Sequence, residues 1–274
     1  ANVPVATLGV FLLFFGWFGF NGGSTLTFSP LIVGIVMNTL LAGAAGMLTA
    51  MLISWERNKH TNVFDSINGL LAGLVAITAG CFAVSTISAG VIGAIGSVLM
   101  LVSQRLLEAW RVDDAIGVVP VHLVAGAWGT IAVAIFGNLE MLGTGLSRWA
   151  QLWVQVFGIS ICGLWAFGTI YIVLALIRQI TTLRVTPHEE HLGLNVSEHG
   201  ATTELVDFFH VLDEQAQTGN PALRVPVEPF TEVGQIARRY NAVMERLEKT
   251  LNRTSAIVQQ SMDSIITFST ATLK

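Results

Sequence analysis

Charge is what this chain has least of. Of its 274 residues only 12% are Asp, Glu, Lys or Arg, against 53% hydrophobic. The mean hydropathy is +0.66. A soluble domain carries about a quarter charged residues, so most of this chain is not a water-soluble globule. Cysteine is nearly missing too. Cys81 and Cys162 both lie inside apolar runs and read as small core residues, so no disulfide framework is expected and the redox compartment is left unread. The formal net charge of −4 leaves no basic surplus for nucleic acid. There is no phosphate-binding glycine loop, no zinc-type spacing and no nucleophile–base pair, so no enzyme, metal or cofactor chemistry is expected. No secretory leader is visible at the start. The chain starts at Ala1 without an initiator methionine and is apolar by Val3, so it is expected to be a fragment of a longer protein.

What charge there is sits unevenly. Residues 1–186 hold six acids (Glu56, Asp65, Glu108, Asp113, Asp114 and Glu140), and the other twelve of eighteen fall in the last 88 residues. That divides the chain into a membrane part, to about residue 180, and a soluble tail. Six apolar runs are readable, at 4–20, 31–54, 67–84, 86–103, 115–137 and 152–177. A membrane helix needs about 20 residues. The third and fourth runs are short and nearly meet at Ser85, which predicts a helical hairpin. The runs are too long and continuous for barrel strands, which leaves helices.

Basic residues orient the bundle. The connections at 54–66 and 104–114 and the exit at 178–184 carry Arg57, Lys59, Arg105, Arg111, Arg178 and Arg184; the alternate connections carry only Arg148. Six against one places the first set in the cytoplasm, with the tail, and Ser24 outside. Glycine adds density: 23 of 27 precede residue 170. Pairs such as Gly69/Gly73, Gly90/Gly93/Gly96 and Gly126/Gly129 let helix backbones approach closely and imply a polytopic bundle.

Two places carry chemistry. The first run closes with Phe14-Phe15-Gly16-Trp17-Phe18-Gly19-Phe20-Asn21-Gly22-Gly23-Ser24. Aromatic faces attract a cation where water is partly excluded. The Ser24 hydroxyl can accept a hydrogen bond from an ammonium-like donor. An interfacial aromatic belt has the same composition and is favoured on composition alone. The second place is His122, about a third of the way through the fifth run. An ionisable group at that depth is costly and suggests function. A neutral imidazole both donates and accepts, which suits the path of an amine-sized solute. A bond to a neighbouring helix backbone is the other reading. Pro120 leaves the Ile116 carbonyl free. Asp114, two helical turns and about 12 Å earlier, is expected to hold the helix start rather than to store a cation.

Several segments resemble one family in order. Segment 10–24 resembles the signature around the sixth helix of the ammonium transporter (Amt/Mep/Rh) family, and Asn38-Thr39 a polar pair in its seventh. Asn68–Cys81 resembles the eighth helix, Asp113–Thr130 the tenth, and Ser197-Glu198-His199-Gly200 the cytoplasmic tail. The resemblance implies an all-α, polytopic membrane helix bundle of eleven helices, of which this chain holds the last six. It implies a homotrimer in the lipid of a prokaryotic plasma membrane, with ammonium ion as ligand. By the same resemblance Phe20 matches one of two stacked pore phenylalanines, Ser24 the serine of the external ammonium site, and His122 the second of two pore histidines. Asn21, Asn68, Thr78 and Asp114 fall at pore or structural positions. The partner histidine, phenylalanine and tryptophan and a structural aspartate belong upstream. Leu123 stands where the family usually has glycine, and Gly117 where some members have aspartate. A bulkier residue beside His122 narrows the path and puts conduction in doubt.

The tail departs from a plain transporter. Residues 1–185 form the transporter-like domain and 186–202 a connecting tail. Two helical stretches follow, about 203–217 and from near Phe230 past Leu251, around the extended connector Gly219–Val227. Ile236, Tyr240, Val243 and Leu247 step at heptad spacing, as in a coiled coil or bundle; packing on the membrane domain is the alternative. Residues 203–252 resemble a HAMP signal-relay module, and 253–274 a linker helix with the opening of a PAS-like domain at Ser261–Phe268. A transporter needs no relay. The reading is therefore an ammonium sensor/transducer that passes a signal to an output domain, a histidine kinase or diguanylate cyclase. The alternatives are an ammonium channel with a regulatory tail and a scaffold that only anchors a signalling tail.

Overall fold

The computed structural model describes residues 3–192, 204–228 and 231–272, and every regular element among them is helical. Five helices are long and apolar enough to cross a membrane. They are α1 (Val3–Gly23), α2 (Leu31–Asn58), α4 (Thr86–Ala109), the run Val119–Phe136 and α7 (Arg148–Ile177). The run Val119–Phe136 opens as a π-helix over Val119–Val124 and continues as α5 (Ala125–Phe136). Between them lie the shorter apolar α3 (Val63–Thr78) and the single turn α6 (Leu139–Leu142). The chain divides into two compact units at Ile172/Val173, inside α7. The charge distribution ends the membrane part at about residue 180, which keeps the whole of the apolar α7 together.

The six runs are present, with corrected bounds. The third is a helix only over 63–78, because residues 79–84 form turns. The fourth is longer than expected and runs 86–109. Polar caps set these limits where apolarity does not. Asn62 starts α3, its Oδ1 accepting from the N–H groups of Phe64 and Asp65 at 2.9 and 3.3 Å. Ser85 starts α4, its hydroxyl oxygen accepting from Ser88 N at 3.2 Å. Such caps meet helix-end donors that have no partner within the helix.

Helices α2, α3 and α4 form the centre of the first unit. Val10, Leu70, Leu74, Met100 and Val121 pack in one cluster, and Ile35, Ile77, Ile92 and Ala132 in another with Trp128 and Phe136. Glycine brings the backbones together. A Cβ on Gly93 would stand 2.1 Å from the Ala42 carbonyl oxygen, and one on Gly73 would stand 2.3 Å from the same atom. Gly69, Gly96 and Gly129 also meet neighbouring helices closely; Gly90 faces open space, and Gly126 touches only Val75. The spacing rule thus named the packing faces but not each contact.

Two long helices contribute little to this core. Only Val10, Asn21 and Gly22 are buried on α1, and only Gln151 on α7. Both are apolar all round, as suits helices surrounded by lipid or further helices.

Arg148 was read as the one basic residue of its end. It closes the C-terminal end of α5. Its guanidinium donates to the carbonyls of Ala134 at 2.7 Å, Ile135 at 2.8 Å and Gly137 at 3.3 Å. A cation there also complements the negative end of the helix dipole. Arg148→Ala is expected to destabilise the first unit by about 1–3 kcal/mol, since it strands partly buried acceptors. Lysine should restore only part of this, because it lacks the planar fork. A thermal melt in detergent checks both.

The second unit holds α8 (Pro187–Leu192), α9 (Glu204–Thr218) and α10 (Glu232–Thr272). The second tail helix is thus one 41-residue helix through Ser261–Ile266. The Ser197–Gly200 motif and Phe230 lie outside the described residues.

Candidate functional site

Loops join the helix ends in two layers, and each layer holds part of the site. One layer contains the end of α1, the start of α2 and the end of α3. Along the last turns of α1, Phe14 and Phe18 lie 5.1 Å apart, and Trp17 meets Phe20 edge-on at 6.1 Å. Phe20 is exposed, and Ser24 follows directly beyond the helix. The Ser24 hydroxyl donates to the Phe20 carbonyl at 2.6 Å, so its oxygen remains available as an acceptor. Beside it opens a cavity of about 440 Å³, lined by Asn21, Ser24, Thr25, Ile35, Thr78 and Phe82 among others. The C-terminal ends of α1 and α3 and the N-terminal end of α2 all reach this cavity.

Three polar side chains stiffen this layer with four bonds. Trp17 Nε1 donates to Thr78 Oγ1 at 2.9 Å. Asn21 Nδ2 donates to Thr39 Oγ1 at 3.0 Å. Asn38 Nδ2 bridges the carbonyls of Cys81 and Val84 at 2.9 and 3.1 Å, which holds the α3–α4 turn. The Trp17–Thr78 bond was missed in the sequence, although an indole N–H in an apolar helix calls for an acceptor.

The other layer carries His122. The imidazole is exposed and sits in the first turn of its helix, not a third of the way through a longer one. The reason lies in Asp114–Val118, which is not continuous helix. The two-turn, 12 Å separation expected between Asp114 and His122 therefore does not apply. Asp114 instead closes over the helix start: Oδ1 accepts from Val118 N and Oδ2 from Val119 N, each at 2.9 Å. The carbonyl left over by Pro120 is taken across the fold, where Asn68 Nδ2 donates to Ile116 O at 3.2 Å. Gly117 has φ +77, and a Cβ there would come within 2.9 Å of the Asn68 amide. Glycine takes that backbone conformation without strain. The π turn then carries Ala125 N to the Pro120 carbonyl, five residues back. Such turns recur at functional sites. Leu123, next to His122, is exposed like it.

The fold thus brings Phe20, Asn21, Ser24 and Thr78 into one layer, and Asn68, Asp114 and His122 into the other. No cluster of three or more metal-ligating side chains exists among the described residues.

Comparison with known proteins identifies the ensemble. The profile of the Ammonium Transporter Family matches residues 1–204. The Synechocystis protein sll0537 is 52% identical over 254 residues, covering 92% of this chain and 47% of that protein. Ammonium transporter Amt2 of Archaeoglobus fulgidus is 42% identical over 211 residues, covering 73% of this chain and 45% of that protein. Among solved structures, a Sensor Amt Protein superposes with TM-score 0.69 at 40% identity, covering 72% of this chain and 49% of the other. Mep2 of Candida albicans superposes with TM-score 0.64 at 27% identity, covering 84% and 52%. The chain spans about half the length of the curated relatives it matches. Its membrane-length helices and its sequence agree: the chain belongs to the ammonium transporter family and is a membrane protein.

Proposed function

We propose that this protein is an ammonium sensor/transducer of a prokaryotic plasma membrane, homotrimeric, with its tail in the cytoplasm. Ammonium enters at the layer formed by Phe20 and Ser24, where aromatic faces and hydroxyl acceptors favour a cation over an empty, hydrated pocket. His122 lines the path further in, held by the Asp114 cap. A bare ion at mid-membrane costs several kcal/mol, so the interior favours a neutral species or a separated proton.

The observation that carries the sensing half is the tail's own fold. Tyr240 stacks edge-on against Phe208 at 5.6 Å and donates its hydroxyl to Gln215. Asn241 clasps the connector, accepting from Val225 N at 2.9 Å and donating to Val225 O at 2.8 Å. Arg224 pairs with Glu248, and Thr231 donates to Glu204. Two helices and an extended connector are thus locked in one register, the form a HAMP-like relay over 203–252 requires. Of the heptad positions, Tyr240 turns to α9, while Ile236, Val243 and Leu247 remain uncovered, as suits a helix that pairs with other chains. Likeness to a protein named as a sensor supports the same reading.

The second reading, a transporter with a regulatory tail, has support of its own. The match to sll0537 covers 92% of this chain and so extends into the tail. Relatives such as Amt2 carry transporter names. One experiment separates the two. Spin labels on α9 and α10 of the full-length protein should change their separation as ammonium is added, because a ligand shifts a two-state element only through differential affinity. Unchanged tail distances together with a saturable ammonium current in liposomes would overturn the sensor and leave the transporter.

A further inference from the structure

Four hydroxyls on the wall of the cavity beside Ser24 share one hydrogen-bonding polarity. Ser24 commits its hydroxyl proton to Phe20 O at 2.6 Å, Thr25 to Gly22 O at 2.9 Å, Thr27 to Thr25 O at 3.3 Å and Thr78 to Leu74 O at 2.7 Å. Each of these oxygens then has only lone pairs left for a solute.

Asn21 extends the pattern inward. It is 3% exposed and lines the same cavity. Its Nδ2 donates to Thr39 Oγ1, and Thr39 donates its own proton to Ile35 O at 2.7 Å. With that single proton committed, Thr39 can only accept from Asn21. This settles the orientation of the amide: NH2 toward Thr39, Oδ1 away from it. Oδ1 is buried and has no hydrogen-bond partner among the described residues. A buried acceptor left in that state is costly and calls for a donor.

We infer that Asn21 Oδ1 is an inner acceptor for a donor-only cation, ammonium or a small protonated amine, received from the Phe20–Ser24 mouth. This rests on the reading of that mouth as an ammonium site. Ammonium presents four N–H donors and no acceptor, whereas water presents both. A wall of acceptors therefore ranks solutes by the N–H groups they offer, and each methyl on the nitrogen removes one. Thr39 is a positioning residue that acts through the Asn21 amide.

The test measures binding of ammonium and dimethylammonium to the full-length protein by calorimetry. Asn21→Leu is expected to weaken ammonium roughly tenfold and to narrow its preference over dimethylammonium, the loss of about one hydrogen bond to a charged group. Asn21→Asp keeps an acceptor and is expected to hold or tighten ammonium. Thr39→Val frees the amide and should weaken ammonium roughly threefold with the same narrowing. Phe20→Ala and Ser24→Ala report on the mouth itself. If those two lose ammonium while Asn21→Leu and Thr39→Val do not, the inner acceptor is refuted and the mouth stands. If none of the four changes binding, the mouth reading fails. An equal loss of both amines in Asn21→Leu reduces the residue to a structural role. Should Asn21→Leu not fold, a tenfold loss in Asn21→Asp or unchanged binding in Thr39→Val overturns the inference.

Discussion

Gly93→Ala is expected to loosen the bundle, while Gly90→Ala, one turn earlier on the same helix, is expected to leave it intact. The Cβ added at Gly93 would lie 2.1 Å from the Ala42 carbonyl oxygen and 2.7 Å from its Cα. Those are backbone atoms, so no rotamer change relieves the clash. Helices α2 and α4 must separate, and α3 with them, because Gly73 rests on the same carbonyl. Overpacking of this kind costs about 1–3 kcal/mol, and valine should cost more. At Gly90 nothing lies within 4 Å. Alanine there should gain up to about 1 kcal/mol in helix propensity. Thermal melts of the purified protein compare the pair. Equal melting of Gly93→Ala and the parent would refute the backbone contact.

The second large effect is expected at Asp114. Its two oxygens each hold one N–H at the start of the helix that carries His122. Asp114→Ala releases both donors at a partly exposed helix start, a loss of about 1–2 kcal/mol of cap energy. The π turn after Pro120 depends on that start, so His122 should lose its orientation. On the proposed ammonium path, uptake or binding is expected to fall at least roughly tenfold, equivalent to 1.4 kcal/mol. Asn offers one acceptor oxygen instead of two, so Asp114→Asn should fall between parent and alanine. Binding calorimetry read beside the melting curve checks this. A stable Asp114→Ala protein with full ammonium affinity would show that the cap does not position His122.

Reading by residue succeeded where one local rule decided the outcome. Apolar runs longer than a dozen residues, with charge removed to their ends, leave helices in lipid as the only outlet for backbone hydrogen bonds. The runs were therefore legible, as was the aromatic-to-serine stretch closing α1. Their limits were less so. Residues 79–84 are as apolar as the helix before them, and only the Asn38 bridge to Cys81 and Val84 and the Ser85 cap show why the chain turns there.

The site divided in the same way. Asp114 near a helix start and a carbonyl orphaned by Pro120 are local matters and were visible along the chain. That Asn68 supplies the missing donor from 48 positions away is a fact of packing. So is the bond from Trp17 to Thr78, and the commitment of the Thr39 proton that orients Asn21. Composition and spacing alone determined that this is a helical membrane protein with a charged tail, because hydrophobicity and backbone satisfaction act residue by residue. Which carbonyl each glycine meets, and which way each buried amide faces, was decided only by the tertiary structure. Those outcomes turn on distances of a few ångströms between segments far apart in the chain.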